Sequence, residues 1–384
     1  MELAATAAKA VFIVAFILAI VPMLVLGERK VSGWIQDRHG PNRVGPGGLL
    51  QPLADGIKFL AKEVLAPKSV DRKLYFAAPA LLLVPALMSG AIIPWSKPIP
   101  ADSFIGNLLS AENWSPDGIP FQLARIDVGV LYFLAIVSLG VYGVILAGWA
   151  SNNKYTLLGG LRASAQVISY ELSLGLSILA VLLMAGTLQV DKIVEQQAGA
   201  GWFIFYQPVA WFLFSVTALA ETNRAPFDLA ECEQELVGGY HTEYSGMTFA
   251  TFFLAEYGNM AMSSALNVSL FLGGWTLFGL EEMIPWYLTF LIFIGKVLLF
   301  LFVFLWVRWT FPRFRFDQLM RLGWKMALPL ALGNVIVTAG AIALHEMWSA
   351  PLWPVMAAGQ LALIGAVVLT SVLNARADAQ RSQA

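Results

Sequence analysis

Six carboxylates, Glu221, Asp228, Glu231, Glu233, Glu235 and Glu243, fall between Glu221 and Met247, against the single base Arg224. They alternate with Phe227, Leu229, Leu236, Val237 and Tyr244, a mixture that suits a loop folded back on protein. A charge run can also be a plain solvated face, but such a face is usually filled out with small polar residues. Carboxylates partly removed from water raise one another's proton affinity, which suits proton storage and transfer near neutral pH. Glu171 and Glu256 sit inside apolar runs, and Lys296 sits deep in another, about 18 Å from Arg308 at helical rise. Ionisable groups within such runs are either satisfied pairs in a bundle interior or markers of an ion or proton path. Continuity with the acidic loop favours the path.

A second patch has different chemistry. From Leu49 to Leu65 the apolar residues Leu49, Leu53, Ile57, Leu60 and Val64 recur at helical spacing, with Gln51, Asp55, Lys58 and Lys62 opposite. This predicts an amphipathic helix lying at a membrane interface. A turn-rich stretch, Gly40 to Gly48, precedes it and follows Arg29, Lys30 and Arg38. The helix is either a surface anchor or one wall of a cationic entrance for an amphiphilic ligand with an apolar tail.

The elements that must position these groups are set by composition. The chain of 384 residues is 58% hydrophobic and only 13% charged, about half the charge of a soluble domain. Its apolar residues come in runs near 20 residues long, which excludes a soluble enzyme or a disulfide scaffold and predicts an all-α, polytopic membrane protein. The runs are Ala7–Leu26, Leu74–Trp95, Val128–Trp149, Ala165–Thr187, Trp202–Ala220, Thr248–Leu272, Pro285–Val307, Met326–Leu344 and Trp353–Leu373. Eight or nine transmembrane helices are expected, with the ninth in a C-terminal extension, 345–384, following a membrane domain, 1–344. Placing the Gly27–Lys73 loop in the cytoplasm puts 19 Lys/Arg on that side and four on the other. By the positive-inside rule the N-terminus is then outside and the C-terminus inside.

Redox cofactors find little to bind to. Cys232 is the single cysteine, and His39, His241 and His345 are far apart, so neither a Cys₄ iron–sulfur cluster nor a bis-histidine haem is expected. Lys+Arg 24 against Asp+Glu 25 offers no case for nucleic acid.

Three motifs resemble one family. The first is Gly27-Glu28-Arg29-Lys30 with Gln36-Asp37-Arg38-His39-Gly40-Pro41-Asn42-Arg43-Val44-Gly45 and Gln51-Pro52-Leu53-Ala54-Asp55-Gly56-Ile57-Lys58. The second runs from Ala220-Glu221-Thr222-Asn223-Arg224-Ala225-Pro226-Phe227-Asp228 through Glu243-Tyr244-Ser245-Gly246-Met247. The third is Pro312-Arg313-Phe314-Arg315-Phe316-Asp317-Gln318-Leu319-Met320. In order from Gly27 to Leu344 they resemble the H subunits of proton-pumping NADH–quinone oxidoreductase, respiratory complex I.

That resemblance implies a subunit without a redox centre, in a bacterial inner membrane, with quinone as substrate. FMN and iron–sulfur clusters are implied on partner subunits only. The implied partners are the cluster-bearing peripheral subunits, the small membrane subunits A, J and K, and membrane lipid. It implies quinone roles for Arg29, Arg38, Asp55, Phe59, Phe253 and Arg308. It implies a proton relay through Glu171, Glu221, Asp228, Glu231, Glu233, Glu235, Glu243 and Glu256, with Lys296 beyond. The third span brings Tyr132, Ser138 and Tyr142 but no carboxylate. Two other classes compete: the related membrane anchor of a hydrogenase or formate hydrogenlyase, which needs no quinone port, and a stand-alone transporter, which should show an internal repeat.

Overall fold

A computed structural model describes residues 2–100, 103, 118–228, 238–280, 283–349 and 351–381. Twelve α-helices are described: α1 (Glu2–Ile35), α2 (Gln51–Ala61), α3 (Arg72–Ser89), α4 (Gly129–Ala150), α5 (Lys154–Ala185), α6 (Val190–Ala200), α7 (Pro208–Glu221), α8 (Gly246–Phe271), α9 (Trp286–Thr310), α10 (Phe316–Leu322), α11 (Leu328–Trp348) and α12 (Leu352–Arg381). The one bridge between extended segments among the described residues joins Ile99 to Ile119.

A helix occupies each of the nine expected apolar runs. Seven segments are both long and apolar enough to cross a membrane: Thr6–Ile35, Arg72–Ile92, Gly129–Ala150, Lys154–Ala185, Trp286–Thr310, Phe316–Trp348 and Leu352–Leu369. The other two differ for separate reasons. Helix α7 has 14 residues, about 21 Å at 1.5 Å per residue. It starts at Pro208 rather than at Trp202 because proline suits a first turn but not the interior, and a short 3₁₀ turn, Phe203–Phe205, leads into it. Helix α8 is long enough, with 26 residues, but is studded with Ser, Thr, Asn and Glu. Its residues from 260 to 271 are all buried, so packing within the bundle, not lipid, surrounds its polar groups.

Other boundaries differ from expectation for visible causes. Helix α5 begins eleven residues before the expected Ala165, because the Asn153 side chain accepts from Tyr155 N at 3.0 Å and caps it. Gly159 permits that extension: a Cβ there would lie 2.8 Å from the Gly239 backbone. Helices α10 and α11 run on through a π turn at Gly323–Ala327. Helix α6 falls between two expected spans and follows from no long apolar run. The amphipathic helix expected between Leu49 and Leu65 is present as α2, and Leu53, Ile57 and Leu60 on its apolar face are exposed.

Helix α8 lies at the centre of the core, against α1, α3, α6, α7 and α9. The last turns of α1, the end of α7, the start of α8 and the end of α9 meet at one end of the bundle, hereafter the basic end. Helix α12 docks through buried amides: Gln360 Nε2 donates to Asn334 Oδ1 at 2.7 Å and to Gln207 Oε1 at 3.2 Å.

Candidate functional site: a buried ion-pair cluster beside a carboxylate cavity

Helix α1 continues past its apolar run, so Glu28 is carried on a helix and turned into the bundle, 7% exposed. Arg224 enters from the loop after α7, which Gln166 of α5 holds in place. The Gln166 side-chain amide donates to Ala220 O, Asn223 Oδ1 and Phe227 O at 2.8, 3.1 and 2.9 Å.

These elements bring together two acids and two bases. Arg224 Nε lies 2.5 Å from Glu256 Oε1, and Arg224 Nη1 lies 3.6 Å from Glu28 Oε2. Arg308, at the end of α9, pairs with the other Glu28 oxygen. Tyr257 donates its hydroxyl to Glu28, and its ring centroid lies 4.1 Å from the Arg224 guanidinium carbon. The cluster is electrically balanced and sits almost wholly out of water, with Arg224 6% and Tyr257 4% exposed. Buried charges of this kind persist only when paired and hydrogen-bonded.

Directly behind it is a cavity of about 40 Å³ lined by Ser138, Glu171, Glu221, Asn223, Tyr240, Glu256 and Asn259. That is room for a few waters, since one needs on the order of 10–15 Å³ of this measure. Ser138 donates to Glu171. One carboxylate oxygen of Glu221 is buried and meets no hydrogen-bond donor among the described residues. The third span thus contributes a hydroxyl, though no carboxylate, to this group.

The remaining expected residues are distributed around this centre. Asp228 lies 3.5 Å from Arg313, where the loop after α9 meets the loop after α7 through Phe314 N donating to Pro226 O at 3.1 Å. Arg29 pairs with Asp55 at 2.7 Å, and Gln51 donates to the other Asp55 oxygen, so the end of α1 is tied to α2. Phe59 on α2 is half-buried. Phe253 packs against Phe249, ring centroids 4.7 Å apart. Arg38 is exposed and donates to Gln36, away from the cluster. Glu243 accepts from Asn153 at 2.7 Å, beside the α5 cap rather than in the cavity. Glu231, Glu233 and Glu235 lie outside the described residues. Lys296 lies toward the opposite end of α8, where its ammonium donates to Leu272 O, Gly274 O and Thr276 O.

Glu28, Tyr257 and Gln166 join the site only in the folded chain. A sequence signal exists for Glu28, an acid at the end of an apolar run beside two bases. Tyr257 and Gln166 carry none, being single polar residues in apolar surroundings.

Fold and site define a polytopic membrane subunit with an ion-pair cluster at one end and a carboxylate cavity behind it. A family profile described as NADH dehydrogenase matches residues 8–339. The chain is 48% identical over 340 residues to an H subunit of the NADH-quinone oxidoreductase of Cytophaga hutchinsonii, covering 87% of this chain and 95% of that protein. It is 47% identical over 345 residues to an H subunit from Geobacter metallireducens (90% and 98% covered) and 50% over 321 residues to the one from Leptospira biflexa (82% and 88%). The chain belongs to this family, the H subunits of NADH–quinone oxidoreductase. Helix α12 lies beyond the residues that the family profile matches.

Proposed function

We propose that the chain forms the membrane wall of a quinone chamber and couples quinone reduction to proton movement through its carboxylates. The observation that carries this reading is the double engagement of Glu28, which pairs with Arg308 on one side and with Arg224 and Tyr257 on the other. Arg308 belongs with Arg29, Arg38, Asp55, Phe59 and Phe253 on the quinone side, where α2 and the first loop form the entrance and the phenylalanines face the tail. Arg224 belongs with Glu256, and through it with Glu171 and Glu221 in the shared cavity. Asp228, Glu231, Glu233, Glu235 and Glu243 extend the acidic path along the loop.

Reduction of quinone at the basic end changes the charge seen by Arg308 and Glu28. A changed hold of Glu28 on Arg224 alters the hold of Arg224 on Glu256. Carboxyl groups away from water respond to such a change by taking up or releasing a proton. Electrons reach the quinone from clusters and FMN on partner subunits, and the residues of this chain bind, orient and hold protons. The basic end faces the cytoplasm, with the N-terminus outside and the C-terminus inside. Residues 1–344 form the membrane domain, and 345–384 form an extension seated by Gln360. The peripheral cluster-bearing subunits cover the basic end, and the small membrane subunits A, J and K flank the bundle.

The test is the double variant Glu171→Gln, Glu221→Gln in the intact complex reconstituted into liposomes. Protons moved per NADH oxidised should fall severalfold while the complex still assembles. Full pumping in that variant removes the relay role.

A further inference from the structure

Lys296 has a geometry unlike that of the carboxylates. Its ammonium donates to three backbone carbonyls, Leu272 O at 2.7 Å, Gly274 O at 2.9 Å and Thr276 O at 2.7 Å. It also lies 4.3 Å from the Trp202 ring centroid, and that ring stacks on Phe278 at 3.9 Å. The carbonyls belong to the segment that ends α8. Gly273 and Gly274 turn there with φ of +69° and +55°, and a Cβ at Gly273 would strike Trp202 at 2.7 Å. Gln197, 1% exposed, ties the same turn to α6: its side-chain oxygen accepts from Gly273 N at 2.9 Å and its amide donates to Ser269 O at 2.9 Å.

The position of this nest matters because of what leads to it. Glu256, Asn259, Ser263 and Asn267 recur at spacings of three and four on one face of α8. They run from the carboxylate cavity toward the nest, and Ser263 and Asn267 are buried. A file of hydroxyl and amide side chains can pass protons, and this one leads toward a helix C-terminus, whose last carbonyls carry partial negative charge and attract cations. Lys296 binds the carbonyls just past that end, those of Leu272, Gly274 and Thr276, and fixes a positive charge there, and a fixed cation is an effective barrier to proton passage.

We propose that Lys296 is the outward stop of the relay, a positioning residue whose ammonium caps α8 and denies protons an exit to the far side of the membrane. Protons held by Glu171, Glu221 and Glu256 then leave toward neighbouring membrane subunits. This rests on the carboxylate reading above and gives Lys296 the role of a barrier in place of that of a carrier.

The experiment uses the whole complex in sealed liposomes with an internal pH dye, comparing wild type, Lys296→Met and Lys296→Arg. Without NADH, Lys296→Met should raise the passive proton leak severalfold, and with NADH it should lower both the protons moved per NADH and the stimulation of turnover by an uncoupler. Lys296→Arg, which keeps the charge and the donors, should restore a tight membrane. Loss of pumping in Lys296→Met with no leak overturns the stop and returns Lys296 to the carriers. If Lys296→Met does not assemble, Trp202→Leu, which removes the ring over the ammonium, is read the same way: a smaller leak supports the stop, and wild-type tightness overturns it. Because the leak is read without turnover, its outcome is separate from that of Glu171→Gln, Glu221→Gln.

Discussion

The Arg29–Asp55 and Arg224–Glu256 pairs share one chemistry in opposite surroundings. The first joins the end of α1 to α2 at 2.7 Å with its side chains 49% and 22% exposed. The second closes at 2.5 Å with its side chains 6% and 11% exposed, flanked by Glu28, Tyr257 and Arg308. Water screens the first pair, so its attraction contributes little to stability. The second pair has given up hydration on both partners, so each depends on the other. In the proposed function, the first pair belongs to a port that admits a ligand and the second to a junction that transmits a change of charge.

Breaking the buried pair has the largest expected effect. Arg224→Ala leaves Glu28 and Glu256 without their shared cation and should cost about 3–5 kcal/mol, seen as loss of assembled complex on native gels and a lower midpoint in denaturant. Replacing Arg224 and Glu256 together by methionine should be less damaging than Arg224→Ala alone, since no buried charge is orphaned on that side. Equal damage from both would mean the pair is not the unit.

His241 sharpens the comparison with a buried group whose neighbours are rings, Tyr240 and Phe249, with centroids 5.2 and 5.3 Å away. Burial pushes its imidazole down from 6.5 to about 4. The unfolded chain therefore binds the extra proton first as pH falls below 6.5. Stability is fully present above that pH and declines toward pH 4, by about 2 kcal/mol at pH 5 at roughly 1.4 kcal/mol per unit. His241→Phe should flatten that slope in denaturation curves taken between pH 7 and 5.

The exposed pair should give the smallest change in stability and a selective change in function. Arg29→Ala should shift stability by less than about 1 kcal/mol. With Asp55→Asn, it should lower NADH–quinone activity roughly tenfold, equivalent to about 1.4 kcal/mol of barrier, while reduction of water-soluble acceptors by NADH continues. A stability loss as large as that of Arg224→Ala would erase the distinction between the two regions.

Much of the architecture is legible in the residues. All nine apolar runs carry helices, and α2 starts and ends within its amphipathic stretch. The acids Glu171, Glu221 and Glu256, read from three separate segments, line one cavity. What the sequence hides has identifiable causes. Helix α7 is shorter than its apolar run because Pro208 sets its start, and α5 is longer because Asn153 caps it upstream. Glu243 faces Asn153 rather than the cavity because α5 extends to meet it.

Hydropathy alone determined that this is a many-span membrane protein, and charge position set the expectation that its bases gather on one side. Both follow from the cost of leaving polar groups in hydrocarbon, which acts on each segment separately. Which charges meet was decided only by tertiary structure. Glu28, Arg224, Glu256 and Arg308 come from four elements spread over most of the chain, and Lys296 finds its carbonyls only where α8 ends against α9. Partners of that kind are set by the packing of helices side by side, and no local pattern along the chain encodes it.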